Sequence, residues 1–367
     1  MKRKLSSIIA VIMLVGLFIP MTQQLFGYIS IHGLDGVVAP TKKRNQLSWW
    51  DRSAQDYIEN YLKDSLSLKP PCVRLKNQFE FTFFDKINSQ DIYEHDGIFY
   101  RYSYYTYNEK NCFVGMDKIQ KQVNRLKAFQ KKINKDNIPI YVIITPTKLH
   151  QYRAQLPWFN KTSSQQTNYL QYKRSLLKAG INVLDVDEWF MRDQQKFVAP
   201  TLSKGGVHWT LYGGALAMDS LVKRIRKEKG IDFQTVNMEI SKNYQLYAED
   251  MDAVNLSNLM YPPKDERLRL IHFPTPQISK RRIRPVVISD SFFHVIDWTP
   301  LHDQIFEPET PFYYYFNSRK QHNQNAETPV DHNQVRKDIQ ESDCIIIITD
   351  IQNLEQFGFG FIEKYCN

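Results

Sequence analysis

Four cysteines in 367 residues, Cys72, Cys112, Cys344 and Cys366, are too few for a disulfide-stapled scaffold, and their separations match no zinc-ligand pattern. Cys72 and Cys112 could pair in an oxidising compartment, whereas Cys344 opens the run Cys344-Ile345-Ile346-Ile347-Ile348-Thr349 and is expected inside a strand. No basic tract interleaved with aromatics occurs, although 48 Lys+Arg outnumber 39 Asp+Glu and leave a formal charge of +9. That scatter argues against a dedicated nucleic-acid binder. A diffuse positive surface either keeps the protein soluble or suits an anionic polymer or phospholipid surface. Internal repeats are absent, and the one compositionally simple stretch, Asn317 to Gln334, reads as a polar surface loop. At 42% hydrophobic residues the chain is too apolar to be disordered and long enough for one large core.

What is present at the amino terminus is directional. Met1-Lys2-Arg3-Lys4 is a basic flank, and Leu5 to Met21 is an almost unbroken apolar run without a charge. This reads as a secretory signal or a short membrane span. Neither an A-x-A-like cleavage site nor a lipobox cysteine follows, since the next residues are Thr22-Gln23-Gln24-Leu25-Phe26. The reading therefore favours an uncleaved signal anchor over residues 1–22, with the basic flank cytoplasmic and the remainder outside the cytoplasm. Val37 to Ser48 is polar and contains proline, so residues 23–48 read as a juxtamembrane linker. No second run of spanning length occurs.

From Trp49 to about Phe84 apolar and charged residues alternate at helical spacing, broken at Lys69-Pro70-Pro71, which predicts two helices and a turn. Asp96-Gly97, flanked by β-favouring residues over Tyr93 to Tyr100, predicts a hairpin. These make residues 49–111 a helical and hairpin extension. Beyond it the pattern changes. Ile119, Val123, Leu126, Phe129 and Ile133 recur every three or four residues on one helical face, and Ile138 to Thr145 is a nearly continuous apolar run closed by Pro146. A helix near Gln165 to Ala179, a strand at Asn182 to Val186, a helix at Leu211 to Lys227 and strands at Arg284 to Ser289 and Cys344 to Thr349 continue the alternation. Such continuous strands between helices predict an α/β domain over residues 112–367 whose mostly parallel sheet is covered on both faces.

In parallel sheets the reactive groups sit where strands end. The strand Pro285-Val286-Val287-Ile288 runs directly into Ser289-Asp290-Ser291-Phe292-Phe293, so Ser291 can present its hydroxyl and its own N–H for acyl transfer. Ser and Asp after a strand are equally ordinary helix caps. Lys204-Gly205-Gly206-Val207-His208-Trp209-Thr210 leads into a helix, and of nine histidines His208 has the setting most suited to a general base. A lone histidine is more often structural. Lys148, just beyond a strand end, could line the site, or it could simply begin a helix. The run Phe312-Tyr313-Tyr314-Tyr315-Phe316 could stack on sugars, although a buried strand is the commoner use of such a run. Asp250-Met251-Asp252 is a carboxylate pair with no second carboxylate or histidine cluster to support a glycosidase or metal reading.

Taken together, these segments resemble the AlgJ/AlgX family of alginate O-acetyltransferases and related SGNH acyltransferases. His208-Trp209-Thr210 is similar to the family's His-Trp-Thr motif, and Ser289-Asp290-Ser291-Phe292 to its G-D-S-F nucleophile motif. Asp96-Gly97-Ile98-Phe99-Tyr100 resembles its D-G-W-L-F segment, and Thr145-Pro146-Thr147-Lys148 its P-x-K. The resemblance runs from about Trp49 to the last strand. It implies an SGNH-hydrolase-like fold and an extracytoplasmic O-acetyltransferase. In that reading Ser291 is the nucleophile and His208 the base, with Asp290, Trp209, Lys148, Asp250 and Asp252 as further site residues. The implied acceptor is a polysaccharide, the acetyl donor a membrane-bound O-acyltransferase, and no metal or organic cofactor is required.

Two positions depart from the pattern. The family reads D-x-H-W, and position 206 is glycine; the glycine of G-D-S is Ser289. The orienting group for His208 is then a backbone carbonyl, a distant carboxylate such as Asp187, Asp250 or Asp252, or nothing. The alternatives are an acetylesterase with the same serine chemistry, which differs in how the acyl-enzyme excludes water, and a non-catalytic polysaccharide-binding or assembly subunit, which Gly206 favours.

Overall fold

The computed structural model describes residues 27–36, 52–65, 68–101, 112–156, 166–275, 280–322 and 327–366, with residue 50 and scattered positions from 11 to 26. The linker expected at Val37 to Ser48 and most of the Leu5 to Met21 run lie outside these residues. Among the described residues no helix is long and apolar enough to cross a membrane. The chain divides into two units, residues 1–92 with 254–263 and residues 93–253 with 264–367.

The first unit is built on helices α1 (Ser53–Ser65) and α2 (Lys69–Phe84). The break between them falls before Lys69, not at the prolines as the sequence suggested. Pro70 and Pro71 occupy the first turn of α2, where the N–H that proline lacks would have no helical partner anyway. Asn77, buried on α2, holds the returning segment by donating to the carbonyls of Ser257 (3.1 Å) and Asn258 (3.3 Å).

Strands β1 (Ile92–His95) and β2 (Ile98–Arg101) form the expected hairpin. Its turn residues Asp96 and Gly97 both have positive φ, 52° and 73°, which is why an Asp-Gly pair stands there.

In the second unit the apolar runs become β3 (Ile140–Ile144), β4 (Asn182–Asp185), β7 (Pro285–Ser289), β8 (Pro311–Tyr314) and β11 (Cys344–Thr349). Between β4 and β7 lies a separate two-residue ladder of β5 (Glu239–Ile240) and β6 (Ile271–His272). With β9 (Ser318–Gln321) and β10 (Thr328–Pro329), the main strands form one sheet in the order β10-β9-β8-β7-β11-β3-β4. The five strands from β8 to β4 are parallel, and β9 and β10 extend the edge in antiparallel fashion. The stretch read as a surface loop thus contains two strands and the start of a helix. Its polar composition misled because an edge hairpin needs no continuous apolar run.

Alternate residues of each central strand serve opposite cores. Ile346, Ile348, Val287 and Ile143 enter one cluster, and Ile345, Ile347, Ile288 and Val142 the other. Both faces are therefore apolar, as the unbroken runs required. The four isoleucines of β11 are fully buried, each worth roughly 1.5–3 kcal/mol of transfer free energy.

Helices α3 (Met116–Ile133) and α4 (Asn168–Ala179) belong to one cluster; α6 (Leu211–Lys229) belongs to the other, after the short α5 (Val186–Asp193). Helix α3 buries Ile119, Val123, Leu126, Phe129 and Ile133, the predicted stripe. Thr210 caps α6 by accepting from the N–H of Gly213 at 3.0 Å, so the residue after His208-Trp209 fixes the helix start.

Candidate active site

At the carboxyl end of β7 the backbone turns at Asp290 into a single 3-10 turn, Ser291–Phe293. Asp290 is wholly buried. Its Oδ1 accepts from the N–H of Phe292 (3.1 Å), and its Oδ2 accepts from the N–H of Asp350 (2.7 Å) and from Asn353 Nδ2 (2.9 Å). It ties the ends of β7 and β11 together and caps the turn. Burial raises its pKa, against the pull of those donors. Ser291, next in the chain, remains partly exposed.

His208 arrives from the other side on a loop stitched to its own stem. The N–H of Thr210 donates to Thr201 O (2.9 Å), and Leu202 and Trp209 form an isolated bridge. The indole of Trp209, fully buried, donates to Phe292 O at 3.0 Å and meets the Phe292 ring edge-on. Trp209 therefore joins the histidine loop directly to the serine turn. His208 Nε2 lies 2.8 Å from Ser291 Oγ, and Nδ1 lies 2.5 Å from Asp252 Oδ2. The second oxygen of Asp252 accepts from the N–H of Val207 at 2.7 Å. A carboxylate at Nδ1 places the ring proton there and leaves Nε2 as the acceptor for the serine hydroxyl. Ser291, His208 and Asp252 are thus arranged as a relay for activating a hydroxyl.

Of the three carboxylates considered for His208, Asp252 alone is hydrogen-bonded to it among the described residues. Asp250 is buried, accepts from the N–H of Tyr247 (3.1 Å) and has its pKa pushed up to about 7 by burial. Asp187 holds the N–H of Thr147 (2.9 Å) and pairs with His150 Nδ1 (2.5 Å), a second carboxylate–imidazole pair. Gly206 supports the site by its lack of a side chain. Its N–H donates to Ser203 Oγ (2.8 Å), Ser203 Oγ donates to Asp250 O (2.7 Å), and the N–H of Ala253 donates to Gly205 O (3.1 Å). The histidine loop and the 250–253 segment lie backbone to backbone, which is how a residue 44 positions away reaches His208.

Lys148 is buried, not displayed at an open site. Its Nζ donates to Phe99 O (2.5 Å) and Lys204 O (2.7 Å), pinning the hairpin to the histidine loop. Burial pushes its pKa down to about 7 against the attraction of Asp252 and Asp265. One residue named in the sequence only as part of the aromatic run, Tyr315, also approaches Ser291. The Tyr315 hydroxyl lies near the side chains of Ser291 and Asn353, and burial pushes its pKa up to about 12, so it keeps its proton. Tyr315 belongs to the aromatic run, in which Phe312 and Tyr313 are buried strand residues and Tyr315, at φ 46°, turns out of the strand. A cavity of about 510 Å³ lined by Tyr152, Phe197, Arg267 and Arg269 does not include Ser291, His208 or Asp252 in its walls.

The sequence profile of the SGNH hydrolase-like domain of acetyltransferase AlgX matches residues 96–277. No curated protein sequence matches the chain. Solved structures similar to it include the O-acetyltransferase domain of Pseudomonas putida AlgJ (12% identity, TM-score 0.46, covering 72% of this chain and 92% of that one). Pseudomonas aeruginosa AlgX (10%, TM-score 0.45, covering 75% and 68%) and Bacillus cereus PatB1 with a sulfonyl adduct (13%, TM-score 0.45, covering 74% and 99%) are also similar. The histidine loop at 204–210 lies inside the matched segment, so residues 96–277 carry the likeness to the SGNH hydrolase-like acetyltransferase domain of AlgX.

Proposed function

We propose that this protein transfers acetyl groups through an acetyl-Ser291 intermediate to hydroxyls of a cell-surface or secreted polysaccharide, outside the cytoplasm. The Ser291–His208–Asp252 relay carries the reading. His208 Nε2 takes the hydroxyl proton as Ser291 Oγ attacks the acetyl carbonyl of the donor. The donor's leaving group departs with that proton. A sugar hydroxyl then gives its proton to Nε2 as it attacks the acetyl-serine, the acyl bond to Oγ breaks, and Oγ recovers the proton. Asp252 keeps Nδ1–H oriented and balances the imidazolium in each step. In this reading the Ser291 N–H at the start of its turn and the Tyr315 hydroxyl nearby would meet the oxyanion.

Acetyl-CoA is a cytoplasmic donor, so an extracytoplasmic enzyme requires acetyl passed across the membrane, and a membrane-bound O-acyltransferase fits that role. The apolar run Leu5 to Met21 behind a basic flank would anchor the protein beside it. Asp252 supplies the carboxylate missing at position 206, which favours catalysis over a purely binding role. The test is parallel assay of acetyl transfer to oligosaccharides and acetyl release from a chromogenic ester, with mass spectrometry of the Ser291 peptide. Acetyl on that peptide, and loss of both activities in Ser291→Ala with an unchanged melting temperature, are expected. Wild-type turnover by Ser291→Ala would refute the nucleophile; release without transfer to any acceptor would make the protein an esterase. Protection of the folded domain from protease in spheroplasts would refute the location.

A further inference from the structure

Beyond the nucleophile turn the chain forms helices α7 (His294–Asp297) and α8 (Pro300–Ile305), then returns through β8 and β9. Asp297 at the end of α7, His302 within α8 and His322 just after β9 converge there. One ligand atom from each lies within 4.8 Å of the others, and all three residues are buried. His322 Nδ1 is 3.2 Å from Asp297 Oδ1, and its Nε2 is 3.3 Å from Asp303 Oδ1. His302 is 0% exposed, and neither of its ring nitrogens has a hydrogen-bond partner among the described residues. The two imidazoles lie parallel with centroids 3.7 Å apart.

The acyl-transfer chemistry uses none of these groups. A protonated His322 between Asp297 and Asp303 would satisfy the carboxylates, but it would leave His302 buried without a hydrogen bond beside a cation, its Nδ1 3.9 Å from Asp303 Oδ1. Native interiors rarely retain such a group. A divalent cation resolves the whole cluster: it takes a lone pair from each imidazole, and the two aspartates cancel its charge. We propose that Asp297, His302 and His322 bind one zinc ion, with water at the fourth position and Asp303 holding the other ring nitrogen of His322. Two imidazoles with carboxylate match zinc better than calcium or magnesium, which prefer oxygen alone. Ligand atoms about 3.3 Å apart are the edges of a tetrahedron with bonds of about 2.0 Å, and the 3.2 Å His322–Asp297 separation is already such an edge. A metal lies in the plane of each imidazole it binds, so the parallel stack must splay open on loading. The ion would staple the edge hairpin of β8 and β9 to the helices that follow Ser291, a structural site on the flank of the catalytic one.

The experiment uses the full chain stripped with a chelator and titrated with zinc. One zinc per chain by elemental analysis, a melting temperature that rises and saturates at one equivalent, and no such rise with calcium or magnesium are expected. His322→Asn and Asp297→Asn should abolish stoichiometric binding, and the half-exposed Asp303→Asn should weaken it roughly 10–100-fold. Because His302→Phe fills the buried site and can fold without metal, it should melt at a temperature indifferent to zinc. Should stripped wild type bind no zinc and melt unchanged in its presence, or should His322→Asn bind zinc as wild type does, the site is refuted. A response equal for calcium or magnesium also refutes it. None of these readouts depends on acetyl transfer.

Discussion

Placing any side chain at position 206 should damage this enzyme, even the aspartate of the D-x-H pattern. A Cβ built on Gly206 would stand 2.1 Å from Glu249 O, 3.0 Å from Ser203 Oγ and 3.1 Å from the carbonyl carbon of Asp250. The first contact is to backbone, so no rotamer relieves it. The 249–250 peptide must retreat by about 0.9 Å merely to reach 3.0 Å, below which real Cβ contacts are essentially unknown. Overpacking of this kind costs about 1–3 kcal/mol. The same movement drags Asp252, two residues on, away from His208, and a misplacement near 1 Å can cost about 10²-fold in rate. Gly206→Ala isolates the steric effect and Gly206→Asp adds the carboxylate. Both should melt lower than wild type and hydrolyse a chromogenic acetyl ester about 10²-fold more slowly, measured by differential scanning fluorimetry and steady-state kinetics. If Gly206→Asp matches or exceeds wild-type rate at an undiminished melting temperature, the contact with Glu249 is not the constraint.

Asp252→Asn keeps the shape of the site but offers Nδ1 the wrong partner, so kcat should fall by up to about 10⁴ with little change in stability; a loss under tenfold would show that Asp252 does not orient His208. Trp209→Phe removes the indole donor to Phe292 O and should cost about 1 kcal/mol in urea unfolding, a cost absent if that bond is immaterial. Lys148 titrates near 7 when folded and near 10.4 when unfolded, so between these pH values the unfolded chain binds the extra proton and wild-type stability should rise with pH. In Lys148→Met that rise should disappear from urea midpoints compared at pH 7 and 9; an unchanged slope would show that Lys148 does not lose its proton on folding.

The strands were legible because a parallel sheet buried on both faces must be written as unbroken apolar runs, and those at Ile140, Pro285 and Cys344 were found nearly to the residue. The edge hairpin at Ser318–Gln321 was not, because half of its surface is solvated and its residues read as loop. Ser291 and His208 stood out for their positions beside a strand end and a glycine turn. Asp252 was one of three candidates, and only the packing of Gly205 and Gly206 against the 250–253 backbone selects it. Tyr315 was hidden inside a run whose other members are core, and its positive φ is not encoded by its residue type. The buried cluster of Asp297, His302 and His322 has no recognisable spacing, since an edge strand brings its last member back.

In a D-x-H arrangement the acid and the base travel on the same few residues and stay paired wherever that loop goes. Here the acid rides on a different stretch of chain, held by the backbone bond from Ala253 to Gly205, by the Val207 N–H on Asp252 and by the Ser203 bridge to Asp250. Chemistry therefore reports on docking. A chain still folding, or one whose 248–253 segment has briefly lifted away, carries a serine and a histidine but no working base. Reactivity would switch off at the first local opening, long before the sheet melts.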